Sequence, residues 1–430
     1  MQAACADPLD CCTIYAMRWT VTTLVCISLF LSGCTSSADS VSAIGLPSPT
    51  PFQPGIDSAS DSLYAGAAPT PLSLPTVTLP TPIPTETPII PTQGPPPTPT
   101  IPPVLNPLTG LPQADTSLLE RRPMAIKVAN YPRYVRPQSG LTLADQAFEY
   151  YIEGGLTRFI AVFYGNNSEW VGPVRSGRFF DEHIARMYQA FLVFKFADKR
   201  VLDYFKTTDI AQFLVVPTIG ECPPYHFMTS RDIDDYNNNY FNTVKWADCV
   251  AKNDLPNDKP YLQGNFDYTV PPMANVGAQR VFTYFSEYSY NYWEYSPEID
   301  EYLRYQEKND THDGKEESYT PLMDNVTGQQ VHAANVVVLF AYHEFANPYQ
   351  EDDEVYHIDI TGSGEAYVFR DGVGYPAKWH RLAMNEPLTL TTTYGIPLPL
   401  HPGITFYEVV GANSYAAQGD GEWFFHHTTP

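Results

Sequence analysis

The sequence predicts an α+β protein, with a mixed α/β N-terminal domain followed by a smaller, mostly β C-terminal domain, both after a disordered proline-rich linker. Proline supplies eighteen of the sixty residues from 46 to 105. From residue 106 to residue 255, apolar residues recur with strand-like and then helix-like spacing. After residue 280 only short strands remain, separated by turn residues.

The proline-rich stretch predicts a spacer between a membrane and the folded domains. Proline fixes φ and has no amide donor, so residues 34–105 favour neither a helix nor a sheet interior. No lysine or arginine occurs between Arg18 and Arg121. Such a segment is expected to have a polyproline-II bias and to reach far from its point of attachment.

An apolar run near the N-terminus predicts export and lipidation. Residues 20–31 carry no charge, and the run has the length of a signal-peptide core rather than of a membrane-spanning helix. The Leu-Ser-Gly-Cys motif that ends at Cys34 resembles the lipobox of bacterial lipoproteins. We therefore predict a signal peptide at residues 1–33, translation starting at Met17, lipid on Cys34, and an anchored protein on the extracytoplasmic face of the cell membrane.

The charge of the chain argues against nucleic acid as a partner and favours an anionic partner of another kind. The net charge of −23 argues against a nucleic-acid-binding protein. Residues 120–200 nevertheless hold twelve lysines and arginines against eight acidic residues. A basic island in an acidic protein favours a surface that faces anions.

Four elements are predicted within an N-terminal domain at residues 106–255. Strands are expected at Met124 to Asn130 and at Phe159 to Tyr164, where apolar residues dominate. Helical spacing predicts a helix from Leu143 to Glu153, stopped by two glycines, and another from Ser176 to Lys195.

The remainder divides into a linker, a β domain and a tail. Prolines predict an interdomain linker at 256–279, and residues 413–430 are predicted to be a C-terminal tail. The C-terminal domain at 280–412 is expected to hold short strands at 280–285, 336–342, 354–360, 366–370 and 405–410.

The cysteines predict one disulfide bond, and the spacing of the histidines predicts no metal site. After maturation, Cys222 and Cys249 form an even pair in an oxidising compartment, which predicts a disulfide between them. The ten histidines show no spacing typical of ligands, so the sequence predicts no metal and no cofactor.

Ordered motifs along residues 106–412 identify a family. Arg-Pro-Gln-Ser-Gly at 136–140, Glu-Gly-Gly-Leu-Thr-Arg at 153–158, Gly-Pro-Val-Arg-Ser-Gly-Arg at 172–178 and Trp-His-Arg at 379–381 occur in sequence. This pattern resembles the YerB-like lipoproteins of Gram-positive bacteria, a family of unknown function. The resemblance implies an anchored cysteine, a linker and two domains, but no chemistry. The chain departs from the family pattern at 194–200 and near 236–239.

The strongest candidate site combines glycines and arginines from two neighbouring motifs. Glycines expose backbone amides and arginine forks bind carboxylate or phosphate, so this set predicts an anion-binding groove. The alternative is structural, with glycines in turns and arginines paired to Glu149, Glu153 or Asp181. The candidate residues are Glu153, Gly154, Gly155, Arg158, Arg175, Ser176 and Arg178.

The function predicted is a non-enzymatic binding or scaffold module for an anionic envelope component, such as peptidoglycan or teichoic polymer, or for a wall-modifying partner. The alternative is a hydrolase acting on wall material, with Glu153 or Ser176 beside the arginines. Glu149 and Glu153 would share one face of the predicted helix, yet a glycosidase needs carboxylates facing each other across a substrate. Ser176 has no evident histidine partner.

Overall fold

Strands dominate the protein, whose structure here is a computed structural model that describes residues 103–217, 226–228, 233–273, 275–347 and 353–430. These residues belong to one compact unit, 93–430. The described residues form three α-helices, which are α1 (Asp181–Met187), α2 (Lys199–Thr207) and α3 (Thr243–Asn253). Short 3-10 helices lie at Thr116–Glu120, Arg133–Val135, Leu141–Leu143, Asp209–Phe213 and His312–Gly314.

Twenty-one strands account for most of the regular structure in the described residues. In chain order they are β1 (Met124–Ala129), β2 (Gln146–Tyr151), β3 (Thr157–Phe163), β4 (Phe191–Val193), β5 (Leu214–Val215), β6 (His226–Met228), β7 (Asn239–Phe241), β8 (Val276–Gly277), β9 (Arg280–Ser286), β10 (Ser289–Ser296), β11 (Glu301–Glu307), β12 (Tyr319–Pro321), β13 (His332–Ala333), β14 (Asn335–Phe345), β15 (Tyr356–Asp359), β16 (Gly362–Arg370), β17 (Val373–Arg381), β18 (Thr389–Thr392), β19 (Thr405–Gly411), β20 (Tyr415–Gln418) and β21 (Glu422–His426).

One large sheet runs through both halves of the chain. Its order is β18-β17-β16-β14-β19-β2-β3-β1-β4-β5, with β15 and β8 paired to β14 and β17. The halves meet where β19 pairs in parallel with β2, from Thr405 opposite Gln146 to Val409 opposite Tyr150. The segments predicted as separate domains are therefore hydrogen-bonded into one sheet.

A smaller sheet packs against the large one. It has the order β12-β11-β10-β9-β21-β20, with β13 paired to β11. The rings of Trp293 on β10 and Phe406 on β19 lie 4.8 Å apart, and Phe425 on β21 meets Phe369 on β16 at 5.8 Å. The main apolar core lies between the two sheets, and β6 and β7 form a separate two-stranded ribbon.

The strand predictions are confirmed and the helix predictions are largely wrong, so the fold is mostly β. The segment predicted as a helix from Leu143 to Glu153 forms strand β2. All six β2 residues are buried, because the strand is central and covered on both faces, so its apolar residues do not alternate. Their spacing matched a helix by coincidence, and tertiary pairing decided the outcome.

Two further segments differ from expectation. The helix predicted from Ser176 to Lys195 is confined to α1, and Phe191–Val193 is β4, a parallel partner of β1. Residues 413–430, predicted as a tail, contain β20 and β21, and β21 pairs in parallel with β9. Alternating burial along Glu422–His426 shows that this strand contributes side chains to the core.

A buried ion triad joins the two sheets. Glu149 on β2 and Glu408 on β19 face each other in register, and Arg304 on β11 of the smaller sheet bonds to both. The Arg304 Nη1 to Glu408 Oε1 distance is 2.8 Å, and all three side chains are fully buried. Trp293 donates its indole N–H to Glu408 and Asn130 donates to Glu149.

Removing the arginine is expected to destabilise the protein strongly. Arg304→Met would leave two carboxylates buried side by side without a counter-charge, which costs about 3–5 kcal/mol of unfolding free energy. Urea unfolding measures this loss. Arg280→Met is the matched control, because Arg280 lies on the same sheet in a half-exposed pair with Glu422 and should cost less than about 1 kcal/mol. Equal losses in the two variants would contradict the role of the triad.

The triad also predicts a pH dependence of stability. Burial and the nearby charge of Glu149 raise the pKa of Glu408 to about 7, although Arg304 opposes the shift. The pKa of a glutamate in the unfolded chain is about 4.3. Between this pH and pH 7 the folded protein therefore binds more protons than the unfolded chain does. The contribution of Glu408 to stability then falls as the pH rises through this range. Glu408→Gln should show a smaller loss of stability from about pH 5 to about pH 8 than the parent does. Parallel curves would refute the assignment.

Candidate functional site

The first half of the candidate site is the hairpin between β2 and β3. Gly154 and Gly155 have positive φ angles of 66° and 75°, a backbone conformation that residues with a Cβ rarely adopt. At Gly155 an added Cβ would also lie 2.7 Å from the Tyr288 ring. This tight turn places Glu153 at the end of one strand and Arg158 near the start of the next.

The second half is the segment that leads from residue 175 into α1. Its backbone is fixed to β1, because the Arg175 amide donates to the Lys127 carbonyl at 3.1 Å. The Arg178 amide donates to the Asp181 carboxylate at 2.7 Å. Ser176 precedes this turn and does not cap α1, where Phe180 occupies the cap position.

The two halves line one open cavity of about 520 Å³, called the Arg158 cavity below. Five of the seven predicted residues line it. Gly155 lies apart against Tyr288, and Arg175 lies behind the wall. The lining residues are Glu153, Gly154, Arg158, Ser176, Arg178, Phe196, Asp198, Arg200, Tyr236, Asp353, Glu354 and Val355.

Arg178 has the structural role that the alternative interpretation described. Its guanidinium forms a two-pronged pair with Glu153, with Nε 2.8 Å from Oε2. Burial acts to raise the pKa of Glu153, but the hydrogen bonds and charge of Arg178 outweigh it and lower the pKa. Glu153 is therefore ionised at neutral pH and its charge is neutralised by Arg178.

Arg158 differs because its charge is buried without a partner carboxylate. The side chain is 7% exposed, and its one hydrogen bond to a described residue runs from Nη1 to the Ser176 carbonyl at 3.0 Å. It forms no ion pair with any described residue. Burial, followed by the charge of Arg178, lowers the pKa of Arg158 to about 9. Arg158 thus presents to the cavity a buried guanidinium that pairs with no described carboxylate.

Arg175 reinforces the positive charge from behind the wall. Its guanidinium stacks on the Tyr236 ring at 4.2 Å, and Nη1 donates to Asn237 Oδ1 at 2.8 Å. Among described residues it has no carboxylate partner, and its buried Nε has no hydrogen-bond acceptor. Burial lowers the pKa of Arg175.

Lys127 is a residue that the sequence analysis missed. It is fully buried on β1, with Nζ 3.0 Å from Asp181 and in contact with Tyr150. Burial lowers the pKa of Lys127 to about 7, and the charges of Arg158 and Arg178 add to the effect. A single lysine within the apolar run Met124–Ala129 was the available signal.

The more exposed lining residues from 198 to 200 and from 353 to 354, called the mouth or rim below, are mostly acidic and come from segments that sequence reasoning did not connect. Arg200 at the start of α2 bonds to both Asp198 and Asp353, and the Gly154 amide donates to Glu354. Hydrogen bonds from Arg200 lower the pKa of Asp198. The lining thus carries three arginines against four carboxylates.

The residues of the hydrolase alternative do not assemble into a catalytic set. The Ser176 hydroxyl bonds to no described residue, and His183 lies elsewhere, with Nδ1 2.8 Å from Arg381. Burial, followed by the Arg381 charge, lowers the pKa of His183 to about 4. Glu149 is buried in the ion triad rather than beside Glu153.

Several predicted features lie outside the described residues. These are the signal peptide at 1–33, the start at Met17, lipidated Cys34, most of the linker at 34–105, and Cys222. Cys249 on α3 is buried and disulfide-bonded. Its partner is outside the described residues, so the pairing with Cys222 stays a prediction. Within the described part of the chain, no helix has the length and apolarity needed to cross a membrane.

Comparison with known proteins gives a consistent result. Family models match residues 108–255 as "Protein of unknown function (DUF3048) N-terminal domain" and residues 281–407 as the corresponding C-terminal domain. "Putative lipoprotein YerB" of Bacillus subtilis (strain 168) is 27% identical over 330 residues, which is 74% of this chain and 89% of that protein.

A crystal structure of YerB protein from Bacillus subtilis matches the fold with a TM-score of 0.59 and 22% identity. The match covers 71% of this chain and 96% of that chain. The two domain matches, the homology and the shared fold together show that the chain belongs to the YerB-like family of proteins of unknown function.

Proposed function

We propose that the protein is a non-enzymatic cell-envelope module that holds an anionic group of a wall polymer in the Arg158 cavity. The observation that carries the proposal is Arg158 itself, a buried guanidinium that lines an open cavity and has no carboxylate partner among the described residues. Arg175 has no carboxylate partner among the described residues and adds positive charge next to the cavity, since its guanidinium stacks on the lining residue Tyr236.

Physical cost supports an external anion at this position. A charge taken out of water without a counter-charge destabilises the folded protein by several kcal/mol, on the order of what a buried ion pair loses with one partner removed. A ligand carboxylate that accepts from the free side of the guanidinium would offset this cost. The binding free energy would then include the relief of the buried charge, as well as the new hydrogen bonds.

The acidic mouth narrows the class of anion. Three arginines against four carboxylates give the lining a formal net charge of −1, with Asp353 and Glu354 at the rim. A chain with a phosphate at every repeat would meet repulsion there. Peptidoglycan stem peptides carry carboxylates together with amino groups, so one end can bind Arg158 while an ammonium lies near the rim. This arrangement favours stem peptides over teichoic polymers.

Lipid attachment and location belong to the same proposal. The lipoprotein name of the Bacillus subtilis relative agrees with the Leu-Ser-Gly-Cys motif at Cys34. A signal peptide at 1–33 and a proline-rich spacer at 34–105 would place the folded unit outside the membrane at the level of the wall. A wall-modifying protein is the remaining partner if no polymer binds.

A hydrolase has less support. Glu153 is ionised and neutralised by Arg178, so it has no proton to donate as a general acid at neutral pH. Ser176 has no histidine within hydrogen-bond reach among the described residues. Neither group therefore has the environment that activates it.

Arg158→Met is expected to weaken binding of the folded unit, residues 93–430, to purified peptidoglycan at least tenfold. The change removes the charge and keeps most of the side-chain volume, so a loss of binding of at least tenfold reports the missing guanidinium. Sedimentation with peptidoglycan measures it. Arg280→Gln is the control, because it removes one half-exposed arginine on the smaller sheet that does not line the cavity.

The same samples test the alternative that the protein is a hydrolase of wall material. Release of soluble muropeptides would make the protein an enzyme, and retention of binding by Arg158→Met would remove the binding proposal. Circular dichroism establishes that each variant is folded before either result is interpreted.

Neutralising the mouth should change ligand preference rather than overall binding. Glu354→Gln is expected to weaken competition by stem peptides that carry a free amine, and to strengthen competition by the same peptides after N-acetylation. The reason is that the rim carboxylate attracts an ammonium and repels a ligand carrying only negative charge. Competition against labelled peptidoglycan at low and high salt measures both effects. An identical ranking in parent and variant would contradict the role of Glu354.

A further inference from the structure

Three side chains of metal-ligand type converge outside the Arg158 cavity. Asp300 lies in the turn between β10 and β11, Asp371 in the turn between β16 and β17, and His401 in the segment between β18 and β19. One ligand atom of each lies within 4.8 Å of the others. The three residues come from both sheets, so only the tertiary fold brings them together.

Their spacing is wider than a hydrogen bond and close to that of metal ligands. His401 Nε2 lies 3.7 Å from Asp300 Oδ2 and 3.8 Å from Asp371 Oδ1. Ligands at about 2.1 Å from a tetrahedral zinc ion stand about 3.4 Å apart. A contraction of a few tenths of an ångström would bring His401 Nε2 and each carboxylate oxygen to that spacing. The two carboxylate oxygens lie within 4.8 Å of each other, and a metal would draw them together.

The other oxygen of each carboxylate is already held by a neighbour. Tyr295 donates its hydroxyl to Asp300 Oδ1 at 2.6 Å, and the fully buried Arg370 donates Nε to Asp371 Oδ2 at 2.5 Å. The oxygens left over are the two that face His401 Nε2. Outer hydrogen bonds of this kind orient carboxylates that ligate metals.

The histidine is also fixed in place. Asn335 accepts from the His401 amide at 2.7 Å and donates to its carbonyl at 2.8 Å. The ring lies edge-on to Tyr268, with centroids 5.3 Å apart, and the side chain is 13% exposed. An imidazole that keeps its proton on Nδ1 presents the Nε2 lone pair to the gap between the carboxylates.

We propose that Asp300, Asp371 and His401 bind a divalent transition metal, with zinc the best fit and water completing the coordination. One nitrogen and two single carboxylate oxygens suit zinc. Calcium requires six to eight oxygen ligands and magnesium a near-ideal octahedron, so this set selects against both. A metal here would link a turn of the smaller sheet to a turn of the large sheet.

Zinc titration of the chelator-treated protein tests the site. Isothermal titration calorimetry is expected to show one saturable Zn²⁺ site, unchanged by excess Ca²⁺, and X-ray absorption of the complex should show nitrogen and oxygen ligands without sulfur. His401→Ala should weaken binding at least 100-fold. The matched control is His332→Ala, because His332 pairs with the single carboxylate of Glu301 and should leave the affinity unchanged.

Two results would overturn the proposal: the absence of saturable Zn²⁺ binding to the parent, or equal affinity in the parent and His401→Ala. If His401→Ala fails to fold, Asp371→Asn supplies the second test, since it removes a charged ligand and keeps the side-chain shape. Retention of full Zn²⁺ affinity by a folded Asp371→Asn would likewise refute the site.

Discussion

The buried ion triad of Glu149, Arg304 and Glu408 is the constraint on which the rest of the structure depends. Two carboxylates occupy facing positions on adjacent central strands, which without Arg304 would repel each other in a region without water. The arginine comes from the smaller sheet, so the large sheet can close its centre only when the smaller sheet is docked on it. Because β2 and β19 come from opposite halves of the chain, the same interaction also couples those halves. The two family domains are therefore joined through one sheet and one ion triad.

The position of the Arg158 cavity depends on the strands that carry the ion triad. The register of β2 positions Glu149 in the triad and, two residues beyond the strand, Glu153 at the cavity. Arg158 on β3 lies opposite Tyr150 on β2, so pairing with β2 also sets the position of Arg158. The lining residues Asp353 to Val355 lead into β15, which pairs with β14, and β14 pairs in parallel with β19 at Glu408. Both sides of the cavity are therefore connected to strands that neighbour the triad.

Local sequence patterns predicted the strands and turns correctly where neighbouring residues alone determine the backbone conformation. The strands around Lys127 and Ile160 are continuous apolar runs, and the paired glycines at 154 and 155 demand a turn whether a helix or a strand precedes them. The convergence of Glu153, Arg158, Ser176 and Arg178 could therefore be predicted although β2 was taken for a helix. Asp353, Glu354 and the group around His401 could not, because long-range pairing alone brings them to their sites. Glu149 was misread for the same reason, since its partner Arg304 is distant in sequence.

Arg158 and Arg178 show why residue type alone does not identify a binding group. Both are arginines from the same basic island, both line the same cavity, and both bond to the Ser176 carbonyl. Glu153 lies within reach of Arg178, which becomes part of the wall, and the pKa of that arginine is raised by the pair. Arg158 is more deeply buried and has no carboxylate partner among the described residues, and burial, followed by the charge of Arg178, lowers its pKa. The two arginines thus differ in pairing as well as in burial, and the proposed anion site rests on the one whose charge the protein leaves unbalanced.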